Sequence, residues 1–517
     1  MGSLHEHHVS LWVDTTPETD YPPLAGTVEV DVAVIGGGIA GLSVATLLKR
    51  AGVRVAVVEA GRIASGATGY TTAKVTSQHG LMYRDLTERF SEGQARIYAD
   101  ANQAAIEQVA AFVDDLAIDC DFHRAAAHAY TEDPARLDDI HAEVQACRRL
   151  GLPASFTEDP GLPYPVQGAV RFDRQARFHP RKYCLALAAA IPGDGSHVFE
   201  MTRATEVEEG DLCEVGAGSG TVRARYVVLA TQLPFLDRGA FFTRASPSRS
   251  YVLAARIEGD LPPEMYISID SPARSLRMQE VDGGSLLLIG GEGHKVGQDD
   301  DTRQRYSALE VWAHERFEVT SIDYRWSAQD YMPVDNVPYI GNLTFNSERI
   351  YVATGFKKWG MTTGTVAGMV LSDAILGREN PWSFLFDSTR VNVMQSAGKF
   401  VTTNLGVAKE LIGGKLGLLR TPGLSSLQPD EGRIVDIGGE DVAAYRDGAG
   451  AVHAVSPHCT HLGCVVAWNS AELSWDCPCH GSRFDYDGRV IQGPAVEDLK
   501  RKPVVEDTPS PSGQTGP

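Results

Sequence analysis

The stretch VDVAVIGGGIAGLSVATLLKRAGVRVAVVEA, residues 30–60, constrains the fold more than any other part of the chain. Val30 to Ile35 is a β-branched run suited to a strand buried on both faces. Gly36, Gly38 and Gly41 form a G-x-G-x-x-G turn, Ile39 to Ala51 reads as a helix ended by Gly52, and Val53 to Val58 reads as a second strand. The glycines matter because a pyrophosphate must approach the backbone and settle on the free N–H groups of the helix N-terminus. Glu59 stands 18 residues beyond Gly41, where a carboxylate can accept hydrogen bonds from an adenosine ribose. A carboxylate there also disfavours a 2′-phosphate. The unit predicts dinucleotide binding without naming the dinucleotide.

Further along, Ile97, Ala101, Ala105, Val109, Val113 and Leu116 recur at helical spacing, and a second helical pattern runs from about Pro134 to Leu150. Strand-like runs follow at 226–230, 250–258 and 285–291, and RIYVATGF at 349–356 leads into a helical pattern over 365–376. That order suggests a nucleotide-binding domain interrupted by a substrate domain. Two amphipathic segments, 391–405 and 406–419, read as a packed connector. TPGLSSLQPDEG, 421–432, reads as a linker, and the tail TPSPSGQTGP as disordered.

Several motifs in this order resemble the D-amino-acid oxidase family of flavin enzymes, which includes glycine and sarcosine oxidases. They are VIGGGIAGLSVA, VVEAGRIASGATGYTTAK, YVVLAT at 226–231, PVDNVPYIG at 333–341 and VATGFKKWGMTTGTVAG at 352–368. The resemblance spans about residues 28–380 and implies FAD. It places Gly36, Gly38, Ile39, Ala40 and Gly41 at the pyrophosphate, with Glu59 and Ala60 at the ribose. Ser65, Gly66, Ala67, Thr71 and Thr72 would run toward the flavin, and Ala204, with Ala230 and Thr231, would line the cofactor. Gly355, Lys358, Trp359, Gly360, Met361 and Thr362 would approach the pyrimidine end of the ring. Sarcosine-oxidase-like members tether the flavin through a cysteine six residues before the counterpart of Pro333. Here that position is Ser327, and Tyr70 stands where some covalent relatives carry histidine, so dissociable FAD is expected.

Eight cysteines are unevenly spread. Cys120, Cys147, Cys184 and Cys213 read as reduced, buried thiols. Cys459, Cys464, Cys477 and Cys479 fall within 21 positions, interleaved with His461 and His480. Structural zinc is one reading. Zinc pairs usually come as C-x₂₋₄-C with H-x₃₋₅-H, whereas each loop here supplies one Cys and one His, as C-x-H and C-x₂-H. That layout lets two cysteines hold one iron and two histidines the other. CTHLGC and CPCHGS strongly resemble the Rieske [2Fe–2S] domain. The resemblance implies Cys459, His461, Cys477 and His480 as ligands and a Cys464–Cys479 disulfide. Respiratory members carry Gly-Ser-x-Tyr after the second histidine. This chain reads Gly481-Ser482-Arg483-Phe484, so one hydroxyl is missing unless Tyr486 supplies it.

The two resemblances imply an α/β Rossmann-like FAD-binding domain with an inserted α+β substrate domain, plus a C-terminal all-β Rieske domain. The FAD-binding segments are expected at 28–90, 161–240 and 326–380. The substrate domain should take a helical part at 91–160 and an antiparallel sheet at 241–325. The connector and linker span 381–427, the Rieske domain 428–507 and the tail 508–517.

A net charge of −20 disfavours nucleic acid, and no run approaches a membrane span. The opening residues lack the features of a signal peptide, so the cytoplasm is the expected address. The leading expectation is an FAD-dependent dehydrogenase or oxidase taking hydride from the carbon next to nitrogen in an amine or amino acid. Electrons would pass singly to the Rieske cluster and on to an external acceptor. The alternatives are reversed flow, in which the Rieske cluster delivers electrons to the flavin for a reductive or oxygen-dependent tailoring reaction, and a non-catalytic redox relay or sensor. Arg274 and Arg277 could clamp a substrate carboxylate, His294 is the most suggestive lone histidine, and Lys357 and Lys358 could sit beside the flavin. No catalytic acid or base is assigned.

Overall fold

The computed structural model describes residues 8–297, 301–390 and 421–504. The amphipathic segments at 391–405 and 406–419 and the tail at 508–517 lie outside the described residues. The chain divides into two compact units, residues 295–303 grouping with the C-terminal one.

The first unit is built on two sheets. One has the order Tyr339–Asn342, Ile350–Thr354, Ser219–Leu229, Ala25–Ile35, Val55–Val58, His197–Phe199. Its central pairings are parallel, and the edge strand Tyr339–Asn342 runs antiparallel to Ile350–Thr354. The hairpin Ala204–Glu208 and Cys213–Ala217 extends from Ser219–Leu229. Val32, Ala33, Val34 and Ile35 are all buried, as the β-branched run requires of a strand covered on both faces. Helix Ile39–Arg50 packs against helix Gly360–Ile375 where small residues meet. A Cβ at Gly368 would lie 2.6 Å from that of Ser43, so glycine sets the helix spacing.

The second sheet is nine-stranded and mostly antiparallel, with helices such as Glu92–Asp115 and Leu137–Arg149 around it. Its main order is Val319–Pro333, Ala245–Ile257, Gly284–Lys295, Arg274–Val281, Met265–Ser268, His123–Thr131, Gly168–Arg177, Lys74–Val75. The nucleotide-binding α/β layer with an α+β partner therefore stands as expected, but two boundaries shift. Strand Gly168–Arg177, placed by sequence in the 161–240 cofactor segment, pairs with His123–Thr131 in the substrate sheet, and Lys74–Val75 from the 28–90 segment pairs with Gly168–Arg177 in the same sheet. Strand partners are chosen by tertiary pairing, which local periodicity does not encode.

The second unit is all-β. It holds a three-stranded sheet, Glu431–Ile437, Glu440–Arg446 and Val452–Val455. A four-stranded sheet runs Ala467–Asn469, Ser474–Asp476, Arg483–Asp485, Val490–Gln492. It also includes residues from the 241–325 segment. The Thr302 hydroxyl donates to Asn469 Oδ1 at 2.7 Å and accepts the Ala471 N–H at 2.9 Å.

Candidate functional site

In the first unit the glycine turn leaves no room for side chains. Gly36 has φ +113°, and a Cβ there would sit 2.5 Å from the Ala230 carbonyl oxygen. A Cβ on Gly41 would lie 2.0 Å from the Gly36 oxygen. Gly38 caps helix Ile39–Arg50 without a side chain, and the Thr68 hydroxyl accepts the Ile39 N–H at 3.1 Å. Gly36 and Gly38 stay half-exposed between buried neighbours, and so do Glu59, Ala60, Ser65, Thr71, Thr72, Thr231, Trp359 and Gly360. These residues fit a long anionic dinucleotide: backbone dipoles at one end and the Glu59 carboxylate beside them.

Glu59 is held on both oxygens, one accepting the Gly37 N–H at 2.7 Å and the other the Gly61 N–H at 2.8 Å. Burial raises its pKa, and these two bonds oppose the rise. Thr202 N–H bonds to the Glu59 carbonyl at 2.9 Å, which brings the start of the Ala204 hairpin to the same end. Sequence reasoning missed Glu200. It is fully buried and accepts the Ile63 N–H at 2.6 Å and an Arg62 guanidinium hydrogen at 3.0 Å, fixing the loop that follows Ala60. No local motif marks it, because its partners lie more than 130 residues away.

At the other end, Gly355, Lys357 and Lys358 all adopt positive φ, +76°, +52° and +68°. For lysine that geometry costs about 1 kcal/mol or more and persists only where neighbours enforce it. Lys358 N–H donates to Asp330, and Lys357 N–H to the Tyr331 carbonyl at 3.1 Å. The Lys358 ammonium reaches Ser250 Oγ at 2.6 Å and passes 3.0 Å from where a Cβ of Gly293 would be. Burial pushes the Asp330 carboxyl up to about 6, and it draws the Lys358 ammonium pKa down. Lys358 nevertheless remains open to solvent. Trp359 stacks on His79 at 4.6 Å and 20°. Burial lowers His79 to about 3 and keeps it neutral, between the Thr76 carbonyl and the Tyr98 hydroxyl, both at 2.7 Å. Thr362 donates to the same Thr76 carbonyl at 3.0 Å, while Met361 is buried in the helix beginning at Gly360.

The arginine pair does not form a clamp. Arg274 and Arg277 lie three apart on strand Arg274–Val281 and so face opposite sides. Arg274 is buried against Glu292 at 2.7 Å. Arg277 is fully buried and donates to the carbonyls of Thr72, Ala73, Phe178 and Met278. His294 Nε2 lies 3.0 Å from the Tyr251 hydroxyl, its ring stacked on that tyrosine. Ser327 Oγ accepts from Arg249 at 2.7 Å, so the tether position holds a hydroxyl already in use.

In the second unit two loops of matching construction face one another. Cys459 N–H bonds to the Cys464 carbonyl at 2.8 Å and Gly463 N–H to the Cys459 carbonyl at 2.9 Å. Cys477 N–H bonds to the Ser482 carbonyl at 2.7 Å and Gly481 N–H to the Cys477 carbonyl at 2.9 Å. Gly463 and Gly481 take the left-handed positions, φ +74° and +76°. The sulfurs of Cys464, Cys477 and Cys479 lie within 4.8 Å of one another, but a disulfide joins Cys464 to Cys479 and removes both as metal donors. Cys459 and Cys477 remain as free, buried thiols with a hydrogen bond between them. The hydrogen bond from Cys477 lowers Cys459, whose sulfur also accepts from Ser482 and the N–H groups of His461 and Leu462. The Ser482 oxygen accepts the Ala495 N–H at 3.0 Å, which leaves its proton for the sulfur. The same thiol contact raises Cys477, opposed by the N–H groups of His480 and Cys479. The rings of His461 and His480 stand 5.0 Å apart at 89°. Two cysteine sulfurs facing N–H groups beside two adjacent imidazoles fit a cluster with sulfur ligands on one iron and nitrogen ligands on the other.

The first unit thus has the fold and groove of a dinucleotide-dependent oxidoreductase, and the second the donor set of an iron–sulfur domain. Residues 31–374 match the family described as FAD dependent oxidoreductase, and residues 422–503 match the Rieske [2Fe-2S] domain. The chain belongs to that FAD-dependent oxidoreductase family and carries FAD and a Rieske [2Fe–2S] centre. It is 39% identical over 496 residues to the Rieske 2Fe-2S iron-sulfur protein YhfW of Bacillus subtilis, covering 95% of this chain and 97% of that one. It is 24% identical over 388 residues to gamma-glutamylputrescine oxidoreductase of Escherichia coli, covering 72% of this chain and 90% of that one. The crystal structure of glycine oxidase from Geobacillus kaustophilus is similar in fold, with a TM-score of 0.59 and 20% identity over 70% of this chain and 99% of that one. Among the described residues, no helix is long and apolar enough to cross a membrane.

Proposed function

We propose that this enzyme oxidises a small amine or amino acid at the carbon next to nitrogen and releases the electrons through its Rieske centre to an external acceptor. The carrying observation is that one chain joins a dinucleotide-binding turn and the Lys358 loop to a two-cysteine, two-histidine centre. Bound FAD supplies hydride acceptance and the [2Fe–2S] cluster one-electron transfer. Relatives named for glycine oxidation and gamma-glutamylputrescine support the nitrogen-bearing substrate class.

The chain's own residues bind and orient. The glycine turn and Glu59 hold the dinucleotide end. Lys358, held by Asp330 and Ser250, offers a donor toward the substrate, while neutral His79 supports Trp359 without adding charge. With a hydroxyl at Ser327 in place of a thiol, the FAD is dissociable. A cytoplasmic address accords with four buried thiols outside the cluster region.

The test is anaerobic incubation with a panel of amines and amino acids plus a one-electron dye, followed by assay for the carbonyl product of imine hydrolysis. Dye reduction with stoichiometric carbonyl supports the proposal. Flavin reduction only by an added external donor would favour reversed flow, and no turnover in either direction a relay.

A further inference from the structure

The loop that leaves the dinucleotide turn and enters the second sheet has five consecutive carbonyls taken by side-chain donors. Ser10 hydroxyl donates to the Gly69 carbonyl and the Trp326 indole to Tyr70 at 2.9 Å. The Trp12 indole donates to Thr71 at 2.6 Å, and Arg277 to Thr72 at 3.2 Å and Ala73 at 2.8 Å. These peptides are all trans, so each following N–H points opposite its carbonyl. Each following N–H therefore turns away from the donor on its own peptide, and that of Ala73 is taken by Thr71 Oγ1 at 3.1 Å.

The loop borders the cofactor groove. Thr68 reaches the first N–H of helix Ile39–Arg50, Ala64 N–H bonds to the Gly37 carbonyl at 3.0 Å, and Thr71 and Thr72 are half-exposed. Two of the five carbonyls are held by a short segment ahead of the glycine turn. Trp12 is fully buried there, with the Arg277 guanidinium 5.3 Å from its ring centre. The same segment reaches the other end of the loop. Tyr21 N–H and Thr19 hydroxyl bond to Glu200, which in turn accepts the Ile63 N–H. The segment thus grips the loop at both ends, at residue 63 and at residues 69–71.

We propose that residues 10–21 form a cofactor clasp, in which Ser10 and Trp12 are positioning residues that turn the Gly69 and Thr71 carbonyls away from the anionic dinucleotide and fix the path of the loop along it. The clasp acts on how tightly FAD is held and on the field at the flavin, without touching the reacting atoms.

The test uses the full-length holoprotein. Trp12→Phe keeps an aromatic ring and removes one N–H; Ser10→Ala removes one hydroxyl. Each should raise the FAD dissociation constant about fivefold, the double variant more, by flavin fluorescence titration of the apoprotein. Each should also change the visible circular dichroism of the bound flavin. The Rieske electron paramagnetic resonance signal should persist and report a folded chain. Ile140→Ala, a buried change in helix Leu137–Arg149, serves as a control of comparable loss in thermal midpoint and should leave both flavin readouts unmoved. Unchanged affinity and dichroism in both Ser10→Ala and Trp12→Phe would overturn the proposal. An equal loss of affinity in Ile140→Ala would overturn it as well.

Discussion

Gly37 donates its backbone N–H to Glu59 across 2.7 Å, closing the glycine turn onto the acid that ends the second strand. Gly61 donates to the carboxylate's other oxygen at 2.8 Å, so both acceptors are in use before any ribose arrives. In Glu59→Gln one acceptor becomes an NH₂ facing an N–H donor. The loss should amount to about 1–3 kcal/mol of FAD binding, measured by fluorescence titration, with the iron–sulfur signal intact. Unchanged FAD affinity would remove Glu59 from the site.

His461→Ala and His480→Ala should each abolish the [2Fe–2S] centre and leave FAD bound, since the two cofactors belong to separate compact units. The measurement is iron, sulfide and FAD content per chain. Loss of FAD along with iron would contradict the separation, and zinc without iron would contradict the cluster.

Ser482 donates to the Cys459 sulfur, and its own oxygen is engaged by Ala495. Phe484 is fully buried, while the Tyr486 ring packs 4.7 Å from His453 and 5.5 Å from Tyr445. Donors to cluster sulfurs stabilise the reduced state. Ser482→Ala should lower the cluster potential, Phe484→Tyr should raise it, and Tyr486→Phe should leave it unchanged. Redox titration of the full chain, followed by the cluster's paramagnetic signal, checks all three. A drop in Tyr486→Phe with no rise in Phe484→Tyr would move the tuning hydroxyl to 486.

Burial pushes Glu143 up to about 7, although it accepts the N–H groups of Tyr83 and Arg84, both at 2.8 Å, at the start of helix Met82–Arg89. A carboxyl raised in the folded state stabilises below its unfolded pKa, near 4.5, and that contribution fades as pH rises through about 7. Unfolding free energy should fall over that window by on the order of 3 kcal/mol from this group. Glu143→Gln should flatten the slope in denaturant titrations at stepped pH. A slope unchanged in the variant would assign the dependence elsewhere.

The features legible in the sequence are those whose reasons are local. The glycine turn excludes Cβ atoms within a six-residue motif, and the two cluster loops carry ligand and glycine at fixed short spacing. Arg277 was opaque, because its role is set by carbonyls at 72, 73 and 178. Arg274 is paired with Glu292, and Trp12 bonds to Thr71, partners far away in the sequence. Residues 295–303 joined the C-terminal unit for the same reason, since Thr302 finds its partners at 469 and 471. Strand Gly168–Arg177 belongs to the substrate sheet through its pairing with His123–Thr131, a contact that no local pattern encodes.

The direction of electron flow decides most directly whether the Rieske centre is the outlet of a flavin oxidation. In anaerobic stopped-flow mixing with a substrate amine, flavin absorbance should bleach first and the cluster should reduce afterwards. His480→Ala should bleach at the same rate with no second phase. A cluster that reduces before the flavin, or only when an external donor is added, would contradict an outlet role and place the centre upstream of the flavin.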